Sequence, residues 1–227
     1  CPRDNKIVDF NKNQHMKCQG LFDDALVKYY DDFYYYRLPG FCTLKGLSLL
    51  CVYPTYIPNR KLTKVLIIYG VNTQSHFTIP TFQYIIVLKV INVFILSTTR
   101  YVLITKIRTF RTLSTLSMIN CSISYQDTSV FANLLNLSIL NMAQNPLEKL
   151  ERNTFASLLR LWHLNISNTH IKVIDHMLFV NNTALQFLDI SNSDITFLDF
   201  RLLKELPRLT AFYLSQIPLA LHKIQGL

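Results

Sequence analysis

Glycine is scarce, with five residues in 227, and none lies in a G-x-G-x-x-G or Walker-type loop that could cradle a phosphate. The other common catalytic signatures are also missing: the chain has no G-x-S-x-G, no H-E-x-x-H and no C-x-x-C. Charged residues make up 16%, below the usual ~25%, while 50% of the chain is hydrophobic, enough for a packed core and too much for a disordered or fibrous protein. There is a single tryptophan, Trp162. Long uninterrupted apolar runs are lacking as well. The most apolar stretch, Phe82 to Leu96, is broken by Lys89 and Asn92, whereas a spanning helix needs ~20 mostly apolar residues. Its β-branched residues (Ile85, Ile86, Val87, Val90, Ile91, Val93, Ile95) favour buried strand, so no membrane span is expected here.

Acids are absent from Phe33 to Gln126, a segment that holds ten bases: Arg37, Lys45, Arg60, Lys61, Lys64, Lys89, Arg100, Lys106, Arg108 and Arg111. The net charge of +9 therefore arises entirely in the middle of the chain. A one-sign segment of this kind attracts anions, and Arg60, Lys61, Lys64, Lys106, Arg108 and Arg111 are the candidate anion-binding residues. The six histidines are scattered, and the six-residue spacing of His170 and His176 is not a metal-ligand spacing. Asp189 and Asp194 show no paired-carboxylate logic. No enzyme, metal site or cofactor is expected.

What the sequence does contain is a period. Leucines stand at Leu113, Leu137, Leu161, Leu185 and Leu209, each 24 residues after the last. Three residues on from each lie Leu116, Leu140, Leu164, Leu188 and Phe212; five on, Met118, Met142, Ile166, Ile190 and Leu214; ten on, Ile123, Leu147, Ile171, Ile195 and Leu219. Eight on are Cys121, Asn145, Thr169, Ser193 and Ile217; eighteen on are Phe131, Phe155, Phe179, Leu203 and Leu227. This is the pattern L-x-x-L-x-L-x-x-N/C-x-L. The L-x-L core reads as a short strand with two side chains inward and one outward. The residue eight on is expected to bond backbone groups that would otherwise be buried unpaired, so Cys121 reads as a buried ladder residue and Asn145 as its amide counterpart. The residue eighteen on should fill the core from the opposite wall.

Upstream the period degrades. Leu88, Ile91 and Val93 fit a 25-residue copy ending near Phe110, and Leu62, Val65 and Ile67 fit a 26-residue copy ending near Phe82. Leu44, Leu47 and Leu49 suggest a truncated one. Five firm copies from Leu113 and two to three irregular ones before it assign 44–227 to the repeats. Residues 1–43 do not repeat, and are expected to cover the solenoid as an N-terminal cap.

These 24-residue copies, with Phe eighteen on, resemble the "typical" leucine-rich repeats of extracellular proteins. Those include Toll and Toll-like receptor ectodomains, small matrix proteoglycans and variable lymphocyte receptors. Cys1-Pro2 with Cys18 is similar to the cysteine-bearing cap of that family, although the closely spaced Cys-x-Cys element is missing. The resemblance implies an α/β, β-rich solenoid, the leucine-rich repeat horseshoe, with a parallel sheet on its concave side. It also implies an extracellular setting, and with it Cys1–Cys18 and Cys42–Cys51 as the preferred disulfides. Four cysteines allow three connectivities, and Cys121 stays free. No signal peptide is visible at Cys1-Pro2-Arg3, and no cysteine-rich C-terminal cap follows. Leu227 lies in an unfinished copy, so the chain is expected to be a fragment of a longer ectodomain. Four sequons mark glycosylation candidates at Asn120, Asn136, Asn165 and Asn181.

On the outward side of the strands the firm copies place Trp162, His163, Phe187 and Tyr213, with Ile139, His163, Phe187 and Ala211 forming one row. Exposed aromatics with few charges nearby are the composition of protein-binding hot spots. A glycan on Asn165 would stand among them. The family resemblance implies a non-catalytic recognition ectodomain of the innate immune, Toll-like receptor kind, binding a protein ligand, a co-receptor or a second chain as homodimer or heterodimer. A secreted or matrix adhesion protein is the alternative. A sensor of nucleic acid or another polyanion, acting through the basic segment 33–126, is the remoter one.

Overall fold

The computed structural model describes residues 37–38, 42–52, 54, 57–58, 61–70, 79–93, 104–124 and 131–218. The chain divides into two units, Cys1–Tyr35 and Tyr36–Leu227, and all described residues belong to the second. Most of the expected cap 1–43, and the Cys1–Cys18 pair, therefore lie outside the described residues; of the cap only residues 37–38 and 42–43 are described, and they lie in the sheet.

The second unit is a solenoid whose main wall is a ten-stranded sheet. It opens with two antiparallel strands, β1 (Arg37–Leu38) and β2 (Cys42–Lys45). Eight parallel strands follow: β3 (Ser48–Val52), β4 (Val65–Tyr69), β5 (Val87–Ile91), β6 (Thr115–Ile119), β7 (Ile139–Asn141), β8 (His163–Asn165), β10 (Phe187–Asp189) and β12 (Ala211–Tyr213). The short strands β9 (Val173–Ile174) and β11 (Phe197–Leu198) pair with each other in a second, parallel sheet. No helix among the described residues is long and apolar enough to cross a membrane.

The 24-residue period fixes the register. Leu116, Leu140, Leu164 and Leu188 are direct partners in adjacent parallel strands, as the pattern requires, and Phe212 continues the row. These four leucines, with Met118, Met142, Ile166 and Ile190 two residues on, are fully buried. Phe131, Phe155 and Phe179 close the core from the other wall. Their rings follow one another at 6.0 Å, tilted at the first step and stacked at the second.

Two expectations fail at this level. In the fourth copy the residue eighteen on, Leu203, is 39% exposed, while Leu202 is buried like its counterpart Leu178 one copy earlier. The cause is local. Asp175 caps the four-residue 3-10 turn His176–Phe179, but Asp199 caps a six-residue one, Phe200–Glu205, and in the longer turn the place held by Phe179 is no longer in the core. The irregular copies are also out of phase. Leu49, Leu66, Leu88 and Leu116 are the aligned partners, so the lead residues are Gly46, Thr63 and Ile85 rather than Leu44, Leu62 and Leu88. The copies led by Thr63 and Ile85 are 22 and 28 residues long. Leu62 is 65% exposed, because a one-residue slip sends a strand's side chains to the opposite face.

A feature seven residues on from each lead from Thr63 onward confirms this phase. Gly70, Asn92, Asn120, Gln144, Asn168, Asn192 and Gln216 all have positive φ, between 50° and 62°. Each parallel strand of the main sheet from β4 on leaves it through a left-handed residue, a conformation that glycine and asparagine accept more readily than most.

Candidate functional site

The ladder beneath the strand exits is structural. Asn145 Nδ2 donates to the carbonyls of Met118, Met142 and Ala143, and its Oδ1 accepts from the backbone N–H groups of Cys121 and Ile123. Thr169 Oγ1 donates to the Ile166 carbonyl and meets Ser193 Oγ at 3.0 Å. The Cys121 thiol is buried against the Val90 and Ile119 carbonyls, and desolvation pushes its pKa up to about 12. A thiol held this far from ionisation is no nucleophile.

The outward face of the sheet carries the aromatics. Ile139, His163, Phe187 and Ala211 are partners in one row. The His163 ring stacks on Phe187 with centroids 4.1 Å apart and planes within 6°. Trp162 meets His163 edge-on at 5.5 Å, and Tyr213 lies 5.1 Å from Phe187. Trp162, Phe187 and Tyr213 occupy different positions along their strands and do not form a row themselves. His163 is the ring that joins Trp162 to the others. The result is a continuous four-ring ladder over β8, β10 and β12, with Trp162 40% and Tyr213 50% exposed at its ends.

Next to this ladder runs a column of Asn141, Asn165 and Asp189, direct partners on β7, β8 and β10. Each side-chain Oδ1 accepts the backbone N–H two residues ahead, from Ala143, Ser167 and Ser191. This local bond turns the chain out of the strand. Asn165 is half-buried and also accepts from Ser167 Oγ at 2.8 Å. Of the other sequon residues, Asn136 and Asn181 are exposed. Asn120 is half-buried at its left-handed turn and donates to Asn92 Oδ1.

The structure separates the basic candidates. Lys61, Lys64 and Arg111 are exposed on the edge where strands enter the sheet. There the Lys64 carbonyl accepts from Ile86 N, and the Ile86 carbonyl from Ser114 N. Lys106 and Arg108 lie instead in the turn at 104–109 on the opposite wall, where Lys106 Nζ donates to Thr81 Oγ1 at 2.6 Å. Arg60 lies outside the described residues. Cys42 and Cys51, partners across β2 and β3, form a disulfide.

The opposite wall holds an ionic group that the sequence reading missed. Asp199 is buried, receives a bidentate contact from Arg201, and lies 3.1 Å from His176 Nδ1. Chiefly the Arg201 hydrogen bonds hold its carboxyl down at about 2. One copy earlier, Asp175 pairs with Arg152 at 2.8 Å, and its pKa is lowered mainly by the Met177 backbone N–H. The signal was present in the sequence as two acids spaced by one period. Among the described residues no group of His, Cys, Asp and Glu could hold a metal ion.

A search of curated proteins finds no match to the chain. The family model described as "Leucine rich repeat" matches residues 111–171 and 160–219, the part in which the 24-residue period is regular. Residues 111–219 are therefore leucine-rich repeats, stacked into a parallel-sheet solenoid of a kind that commonly serves as a protein-binding module.

Proposed function

We propose that this chain is a non-catalytic recognition module of an extracellular leucine-rich repeat protein, and that it binds a protein partner through the outward face of β8, β10 and β12. The observation that carries the reading is the four-ring ladder. Large rings that are partly exposed, mutually stacked and almost free of charge provide rigid contact area at low entropic cost. The Cys42–Cys51 disulfide supports an oxidising compartment. The "typical" 24-residue copies are shared by receptor ectodomains of the Toll-like kind and by matrix scaffolds, and of the two our reading is the receptor ectodomain.

The test compares Trp162→Ala with Asn165→Gln in partner pull-down and sedimentation. Association that is lost with Trp162→Ala and kept with Asn165→Gln is the expected result. Association that survives Trp162→Ala overturns this face as the interface and redirects the search to the exposed Leu135 and Leu159 on the strand-entry edge.

A further inference from the structure

Asp189 carries a charge that its place in the fold does not require. Its column performs one structural task, accepting the N–H two residues ahead, and Asn141 and Asn165 perform it with a neutral amide. Asp189 makes the same single bond, from Ser191 N at 2.9 Å. Among the described residues no cation pairs with it. It is also the only acid in the ten-stranded sheet. The nearest base in its own column, Lys89, is four strands away, about 19 Å at the usual strand spacing.

One direct partner of this carboxylate is the polar Asn165 on β8, and its other neighbours in the sheet are aromatic. Tyr213 is its direct partner on β12, and Phe187 lies two residues earlier on the same face of β10. A carboxylate placed next to two aromatic residues of the sheet matches one side chain above others. A guanidinium is planar, weakly hydrated and permanently charged. It can stack on a ring while its N–H groups engage a carboxylate. An ammonium is more strongly hydrated and gains less from the rings, and a neutral side chain leaves the charge uncompensated. Resting on the proposed role of this face, we infer that the protein partner presents an arginine side chain, which lies across Phe187 and Tyr213 and pairs with Asp189.

Trp162 reports on the neighbouring strand, and as the only tryptophan in the chain it can be followed by fluorescence. The probe is acetyl-Gly-Arg-Gly-Arg-Gly-amide, and its control is the same peptide with citrulline, which keeps the shape and removes the charge. The expected result is a saturable change in Trp162 emission with the arginine peptide and at least tenfold weaker binding of the citrulline peptide. Asp189→Asn, which retains the structural bond, should abolish that discrimination. Asp194→Asn, which removes an exposed acid from a loop beyond the sheet where it pairs with His170, should leave it intact. Equal binding of both peptides, unaffected by Asp189→Asn, overturns the arginine inference and leaves the proposed interface standing, since that falls only with the Trp162→Ala result. Absence of any saturable response to the arginine peptide, or an equal loss with Asp194→Asn, also overturns it.

Discussion

Asn145 holds the backbone of Cys121 from one repeat away: its Oδ1 accepts the Cys121 N–H at 2.9 Å, 24 residues earlier in the chain. The same oxygen accepts from Ile123, and the amide nitrogen serves three carbonyls. One side chain therefore satisfies backbone groups on both sides of a repeat boundary, at a site from which water is excluded.

Replacing Asn145 by leucine keeps the number of side-chain heavy atoms, adds some bulk and strands those groups. Each unpaired buried group costs ~1–3 kcal/mol, and partial relaxation will recover some of the sum. Asn145→Leu is expected to lower stability by about 3 kcal/mol or more. Denaturant midpoints at unchanged m-value are the measurement, and a midpoint equal to that of the parent would show that the ladder bonds carry no net stability.

Asp199 makes stability depend on pH. Its folded-state pKa of about 2 lies below the ordinary value of 3.8, so the carboxylate form is favoured by folding. Its contribution is complete above pH ~4 and is lost as the pH falls toward 2. Asp199→Asn should therefore be less stable than the parent at neutral pH, with the gap closing between pH 4 and pH 2. Thermal midpoints measured across that range decide the matter. Asparagine can still accept from Arg201 N, so a gap that stays constant would assign the loss to altered packing of the amide rather than to the charge.

The regular half of the fold was legible and the irregular half was not, for a physical reason. From Leu113 onward the loops keep one length, so a single spacing phases every copy. Before it, copies of 22 and 28 residues remove that constraint, and in so apolar a segment Leu62, Val65 and Ile67 satisfy the pattern as well as Thr63, Leu66 and Ile68. The discriminating mark was conformational: Gly70 and Asn92 are residues suited to a left-handed strand exit, and counting back seven from either gives the observed lead. At the site, alternation along the strands placed His163, Phe187 and Tyr213 outward, and Trp162 stands just before β8 at the strand entry. That His163 joins the rings depends on side-chain torsions, which no spacing encodes. The role of Asp189 needed the comparison with Asn141 and Asn165, because only the shared bond to the residue two ahead separates its structural task from its charge.

Cys121 should resist alkylation in the folded protein. It is fully buried, its pKa is pushed up to about 12 by desolvation, and attack requires the thiolate. Iodoacetamide labelling read by mass spectrometry of the Cys121 peptide should be negligible under native conditions and should track unfolding in denaturant. Labelling at the rate of a free thiol in native buffer would contradict the buried ladder position. Cys121→Ala is expected to cost only about 1–2 kcal/mol, since it leaves a small cavity and no unpaired charge.

The basic segment yields the last prediction. Lys61, Lys64 and Arg111 share the strand-entry edge, while Lys106 and Arg108 belong to the opposite wall. Lys61 and Arg111 stand at equivalent places two copies apart, two residues before the leads Thr63 and Leu113. That puts them on the order of 10 Å from each other at the usual strand spacing. A linear polyanion can follow such an edge, and its affinity would fall steeply with salt as counterions are released. Heparin-resin elution is therefore expected to shift to lower salt when Lys61, Lys64 and Arg111 are replaced by alanine, and to shift less when Lys106 and Arg108 are replaced. The two sets differ by one charge, so a fair comparison uses the pair Lys61→Ala, Arg111→Ala against the pair Lys106→Ala, Arg108→Ala. Equal shifts for the two pairs would mean that net charge alone governs retention and that the edge is no site. A larger shift for the edge pair would make it a second binding surface, separate from the aromatic ladder on the sheet.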